Sequence, residues 1–218
     1  MNHPVQITWL GHSCFRMEYR GWCLITDAYA DGSVPGLPPL RESADAVCAS
    51  HGHGDHIAPE CVKVSRMAPP PDVAAEEFSV PHDHHGGAHR GANTVRQFRF
   101  GDLRVVHMGD TGCMPDAEVL SAIRGCDVLL LPVGGFYTVD ASEAKAIAEA
   151  VVPRCIVPMH YRGKSFGYDV LAPLEDFTGK FDAVTVLPGA GFTLTEEGPA
   201  GVVVPSLAAV PAAGAGNK

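Results

Sequence analysis

The sequence has no CxxC pair and no apolar run long enough to span a membrane. The first absence argues against a cysteine-held zinc site, and the second against a membrane protein. Its seven cysteines are scattered and odd in number. The start, Met1-Asn2-His3-Pro4, lacks a basic segment followed by an apolar stretch, so no signal peptide is expected. Free thiols in a reducing cytoplasm are therefore expected, not a disulfide framework. Positive charge is also scarce. Sixteen Lys and Arg face 25 Asp and Glu, for a net charge of −9, which repels a phosphate backbone at long range and argues against a nucleic-acid partner. Arg90, Arg96, Arg99 and Arg104 form the one candidate basic strip, and as solvated strand faces they need no such role. There is no repeat of solenoid period and no linker composition before residue 198. With 218 residues, 46% of them hydrophobic, the chain is expected to form one domain over residues 1–198 with a sizeable core. An Ala/Gly/Pro-rich tail, 199–218, is expected to be disordered.

Histidine, by contrast, is plentiful: eleven residues, unevenly spread. His51-Gly52-His53-Gly54-Asp55-His56 puts three imidazoles and a carboxylate within six residues. The stretch follows Ala44–Ser50, which reads as a short strand. The two glycines lack a Cβ and can take positive φ, so the backbone can coil tightly here and aim successive side chains at common points. They also disfavour the competing helical pairing of His51 with Asp55. Imidazole and carboxylate suit zinc, iron, nickel or manganese. A solvated polar loop is the plain alternative.

Other candidate residues also fall after predicted strands. Residues 5–10, 14–19 and 22–26 read as strands, the last two joined at Arg20-Gly21. Phe78–Pro81 would deliver a second histidine group, His82, His84 and His85. Strands over 94–100 and 103–108, joined at Gly101-Asp102, lead to Gly109-Asp110-Thr111-Gly112. Buried strands are expected over 127–133 and 155–158, the second ending at Met159-His160-Tyr161. Helices are expected over 57–64, 116–123, 142–151 and 169–177, and a closing hairpin over 183–187 and 192–195. This order, β-rich and then alternating, predicts sheets packed on each other with helices outside. His107 lies three residues before Asp110, on the opposite strand face, and is expected to be a satisfied buried histidine.

His51 to His56 resembles the HxHxDH motif of the metallo-β-lactamase superfamily. Ile7-Thr8-Trp9-Leu10-Gly11-His12-Ser13, His82-Asp83, Arg90-Gly91-Ala92-Asn93-Thr94, His107-Met108-Gly109-Asp110, Leu131-Pro132-Val133-Gly134-Gly135 and Met159-His160-Tyr161 extend the likeness over residues 5–195. They resemble the branch of L-ascorbate-6-phosphate lactonases and related small bacterial hydrolases of unassigned substrate. The resemblance implies an α+β fold, an αββα four-layer sandwich with a metal site on one edge. It implies two divalent metal ions, zinc by default, with manganese, iron or nickel as alternatives. His51, His53 and His82 would bind the first; Asp55, His56 and His160 the second; Asp110 would bridge them. His84, His85 and His89 are the alternatives to His82. Asp27 would support the metal loop by hydrogen bonds. The reaction implied is attack by a binuclear-site hydroxide on a lactone, ester or phosphoester of a small substrate, in the cytoplasm. Asp55 and Asp110 would act in catalysis. The proton donor is left open between a water on Asp55, His12, Tyr137 and Tyr161, and for His12 a structural role on a loop carbonyl is equally open. A phosphodiesterase or nuclease of the same superfamily is one alternative. A non-catalytic metal-binding protein, suggested by the histidine-rich loop 82–89, is another. No membrane partner is expected, and homo-oligomerisation is open.

Overall fold

Val5, Ile7, Trp9 and Gly11 are buried, and the residues between them are half-buried. That period of two makes a strand with one face on a core. In the computed structural model, which describes residues 3–207, it is β1 (Val5–Gly11). β2 (Cys14–Tyr19) and β3 (Trp22–Thr26) continue antiparallel. β5 (Ala46–Cys48) adds to β3 in parallel, and β13 (Gly191–Leu194) pairs with β1 on the other side. The result is a five-stranded sheet, ordered β13-β1-β2-β3-β5.

A second sheet has seven strands: β7 (Val73–Pro81), β8 (Ala92–Phe100), β9 (Leu103–His107), β10 (Val128–Pro132), β11 (Cys155–Met159), β12 (Val184–Val186) and β14 (Gly201–Val204). Their order is β12-β14-β11-β10-β9-β8-β7. β10 is buried at every residue and runs parallel between β9 and β11, as a strand covered on both faces must be. Outside it lie α1 (Ala117–Ile123), α2 (Ala141–Val151) and α3 (Leu174–Thr178), with α2 packed on β10 and on both other helices. α2 buries Ala141, Ala144, Ile147, Ala148 and Val151, a single helical face. Asp140 starts it, accepting from the Ser142 and Glu143 amides, while Glu143 accepts from the Asp140 amide. Such a cap contributes about 1 kcal/mol.

Side chains from the two sheets, including Ile7, Phe15 and Met17 with Phe98, Val105 and Leu130, form one core between them. On the outer side of the five-stranded sheet, Cys14, Cys23 and Ile25 are covered by Tyr29, Val34, Leu37 and Leu40. Ala44 of β4 (Glu42–Ala44) and Val62 of β6 (Val62–Val64) complete this cover. The chain is thus an α+β sandwich of four layers, and loop plus a two-stranded β4–β6 sheet make the layer on this side. The Gly- and Pro-rich composition of residues 32–39 accounts for the loop.

Several local expectations need correction. The strand expected over 44–50 is divided between two sheets at Asp45, whose carboxylate accepts from the Cys23 amide and the Ser65 hydroxyl. The helix expected over 57–64 is a 3₁₀ turn, Pro59–Cys61, followed by β6. The hairpin expected over 183–195 does not form, because β12 and β13 join different sheets. The segment from 199 is not wholly a tail: β14 inserts between β11 and β12, burying Val202, Val203 and Val204. Residues 208–218, the remainder of that expected tail, lie outside the described residues. All seven cysteines are free. No helix among the described residues is long and apolar enough to cross a membrane.

Candidate metal centre

β1, β3 and β5 point the same way in the first sheet, and β7, β9 and β11 do so in the second. The chain leaves the ends of these strands at His12, Asp27, Ser50, His82, Met108 and His160. One rim of the sandwich therefore collects polar side chains from six separate loops, each held by a rigid strand.

The loop after β5 is tied to both sheets. The Ser50 amide donates to Asp27 Oδ1 (2.6 Å), and the Ser50 carbonyl accepts from the Thr94 amide of β8 (2.9 Å). His56 and Ile57 amides return to the His53 carbonyl, which coils the loop. The loop coils without positive φ at Gly52 or Gly54. The left-handed non-glycine residues of the rim are His12, Asp27 and His160, with φ of 52°, 48° and 53°. Such backbone costs of order 1 kcal/mol or more for each residue with a Cβ, and it aims their side chains inward.

Asp110 stands at the middle. It is 2% exposed, and its Oδ2 lies 3.1 Å from His160 Nε2, 3.3 Å from His56 Nε2, 3.5 Å from His82 Nε2 and 3.8 Å from His51 Nε2. Asp110 groups with His51 and His56, and around it the donors form two further groups, the ligand atoms of each lying within 4.8 Å of one another. One is His51, His53 and His82; the other is His12, Asp55, His56 and His160. All seven residues expected as ligands are brought together, and His12 joins the second group. His84, His85 and His89 are exposed, and His84 pairs with Glu143 (2.7 Å).

The backbone of Asp110 is placed by Asn93, which is fully buried. Asn93 Oδ1 accepts from the Asp110 amide (2.8 Å), and its Nδ2 donates to the Met108 carbonyl (2.8 Å). Close approach is permitted by glycine. A Cβ on Gly112 would lie 2.2 Å from the Asp83 amide nitrogen, so only glycine lets this loop lie against His82.

Two of the imidazoles are held through Nδ1. Asp27 Oδ2 accepts from His56 Nδ1 (2.7 Å) and from the Ser50 hydroxyl (2.6 Å). With its one proton on Asp27, Ser50 Oγ accepts from His51 Nδ1 (2.9 Å). The Nε2 atoms of His51 and His56 are buried and without a hydrogen-bond partner, as are Asp110 Oδ1 and both ring nitrogens of His160. Orphaned polar atoms converging from several loops are costly unless a cation satisfies them, so the donor set fits metal ions. Asp27 stays below the usual carboxylate range: burial favours its neutral form, but His107, His56 and Ser50 outweigh it. Asp110 is likewise held well down, with burial opposed by His160 and His56. Burial, helped by His56, pulls His51 down to about 3.

His12 is 1% exposed, with its Nε2 3.3 Å from Asp55 Oδ2 and its ring 4.1 Å from that of His160. Burial and His160 lower it to about 4. Its ring lies inside the cluster, between Asp55 and His160, and is not among the residues that line the cavity. Tyr161 is buried and stacks on Trp9 at 5.6 Å, away from the cluster. His107 is buried as expected, its Nε2 on the Ser13 carbonyl and its Nδ1 accepting from the Gly109 amide.

A cavity of about 230 Å³ opens on the cluster, lined by His53, Asp55, His82, Asp110, Arg90, Tyr137 and Tyr168. Larger hollows, such as one of about 570 Å³ beside Trp9 and Phe166, carry no comparable group. Tyr168 was not foreseen. Its hydroxyl donates to the Ser33 carbonyl (2.7 Å) and lies 3.3 Å from Asp55 Oδ2. Its position, after the last histidine and next to a glycine, carries no sequence signal. Arg90 and Asn93 were legible only as members of a motif.

A two-sheet sandwich with a histidine–aspartate cluster on its strand-end rim is the build of a metal-dependent hydrolase. The chain belongs to the metallo-β-lactamase superfamily: residues 6–160 match the model of the β-lactamase superfamily domain. A UPF0173 metal-dependent hydrolase of Methanocaldococcus jannaschii is 29% identical over 71% of this chain and 83% of its own length. A structure from Thermotoga maritima, described as that of a candidate zinc-dependent hydrolase of the superfamily, is 32% identical. It covers 94% of this chain and 100% of its own, with a TM-score of 0.72. Igni18, a metallohydrolase from Ignicoccus hospitalis, shares the fold at 20% identity, with a TM-score of 0.62 over 88% of this chain and 99% of its own.

Proposed function

We propose that this metal-dependent hydrolase cleaves a lactone, ester or phosphoester of a small substrate at a centre for two divalent cations, zinc by default. His51, His53 and His82 would hold one cation; Asp55, His56 and His160, with His12 beside them, the other; Asp110 would bridge. The observation that carries this is the place of Asp110 Oδ2, within 3.8 Å of four imidazole nitrogens drawn from both groups. Divalent cations supply a water of lowered pKa and polarise the electrophile. The protein's own part is to fix tautomers through Asp27 and Ser50 and to hold the carboxylates ionised. Tyr137 and Tyr168 wall the cavity, and the Tyr168 hydroxyl lies beside Asp55.

The cavity favours turnover over mere metal storage, since His53 is exposed and the cluster is open to a ligand. Its size, below the roughly 300–1,000 Å³ of drug-sized pockets, suits a small substrate. Two of the four members of the expected basic strip are already engaged. Arg96 pairs with Glu77, and Arg104 bonds the Arg124 and Gly125 carbonyls. The test is hydrolysis of a panel of lactones, esters and phosphodiesters, with metal content measured alongside. Asp110→Asn should bind fewer than two metal ions per chain and lose more than about a hundredfold in rate. Full activity in that variant, or after exhaustive chelation, would overturn the proposal.

A further inference from the structure

Arg90 is the one cationic side chain lining the cavity over the metal cluster. Its guanidinium lies over the Tyr137 ring, 4.3 Å from the centroid. Among the described residues, no carboxylate forms an ion pair with it and no side chain or carbonyl accepts its hydrogen bonds. Arg96, Arg104 and Arg154, by contrast, all have such partners. The position is built and not incidental. Asp83, next to His82, accepts from the amides of His85, Gly87, His89 and Arg90 at 2.7–3.0 Å. These four bonds clasp loop 83–90 into a ring that ends at Arg90, and they hold Asp83 below the usual carboxylate range although its burial works the other way. The loop is further tied to α2 through His84 and Glu143. Tyr137 in turn meets Tyr168 edge-on, with centroids 6.0 Å apart.

A planar guanidinium stacked on an aromatic ring keeps its N–H edges free, and five donors in a fixed fork match an oxyanion. We infer that Arg90 is a specificity-determining residue that anchors an oxyanion, carboxylate or phosphate, carried by the substrate away from its scissile bond. The inference rests on the proposed hydrolytic reading and narrows its substrate class from small esters and lactones to anionic ones. Stacking on Tyr137 places the cation, and Asp83 places the backbone that bears it. The protein's net charge of −9 would otherwise work against such a substrate, which gives a local cation at the cavity wall a definite task.

The test uses the metal-loaded full chain and a matched pair of esters, mono-p-nitrophenyl glutarate and neutral p-nitrophenyl pentanoate. A third ester ending in a phosphonate separates phosphate from carboxylate preference. The wild type should favour an anionic ester in kcat/KM, chiefly through KM. In Arg90→Gln the anionic-to-neutral ratio should fall about tenfold to a hundredfold, the worth of a hydrogen-bonded charge pair. Arg90→Lys should restore only part of it, since a point charge lacks the fork. Direct titration with glutarate and with inorganic phosphate gives a readout that needs no turnover, and Arg90→Gln should weaken binding of at least one. A ratio and affinities unchanged in Arg90→Gln overturn the inference. Absence of any hydrolysis, with binding still dependent on Arg90, overturns the hydrolytic reading instead.

Discussion

Asp27 Oδ2 accepts a 2.7 Å hydrogen bond from His56 Nδ1, and neither side chain is more than 1% exposed. The carboxylate belongs to the loop after β3 and the imidazole to the loop after β5, neighbouring strands in one sheet. Through Ser50, the same oxygen also orients His51. One buried aspartate thus fixes a ring on each side of the cluster.

Asp27→Asn should therefore weaken both halves together. The amide removes the charge that favours His56 with its proton on Nδ1, and partners of this kind cost about 10–100-fold in metal affinity when lost. Competition with a chromogenic chelator measures it. Loss confined to one of two binding steps would show that the Ser50 link carries nothing.

Asn93→Ala leaves the Asp110 amide buried without its partner, while the Met108 carbonyl keeps the Thr111 hydroxyl as a donor. About 1–3 kcal/mol of stability should go, the cost of one orphaned buried group. Urea unfolding of the metal-free protein reads this directly. Asn93→Asp, which keeps an acceptor for Asp110 but loses the donor, should fall between the wild type and the alanine variant.

Gly112→Ala brings a methyl group to 2.2 Å from the Asp83 amide nitrogen and 2.3 Å from the His82 carbonyl carbon. The loop must move, and His82 moves with it. Metal stoichiometry should fall while the five-stranded sheet stays intact. Retention of two ions per chain would mean that the contact relaxes without cost.

Acid should destabilise the metal-free protein from pH 6.5 downward. Burial lowers His12 to about 4 and His51 to about 3, and also lowers His82 and His107. At these groups the unfolded chain binds more protons between pH 6.5 and the lowered values, so stability falls with pH. His56 acts in the opposite sense: despite its burial, Asp110 and Asp27 raise it. Four groups against one leave a net loss. Below 3.8 the depressed Asp27 and Asp110 add to it as they are forced to take protons. Urea midpoints at pH 7.5 and 5.5 measure the effect, and an unchanged or higher midpoint at 5.5 would contradict it.

The ligand types were legible because histidines and aspartates stand where apolar runs end, and a strand end is recognisable from composition. His107 was legible for the same reason, through its period. What failed was long-range. β12 and β13 flank Pro188-Gly189, a sound local turn signal, yet their partners are β14 and β1. The apolar run from Ala44 hides a change of sheet, decided by the bonds of Asp45 to Cys23 and Ser65. Gly52 and Gly54 can turn left-handed, but packing placed such conformations at His12, Asp27 and His160. Tyr168 gains its position from the Ser33 carbonyl, 135 residues earlier, a relation no local pattern encodes.

The rim draws on loops that begin at residue 12 and end at residue 160. During synthesis the histidines at 51, 53 and 82 emerge long before His160, the last donor of the other group. The first three donors can meet early, but His160 cannot join the cluster until β11 has joined its sheet. β13 and β14 come later still and close on β1 and β11. The full donor set of the rim thus assembles only once β11 is in its sheet, whichever donors come together first.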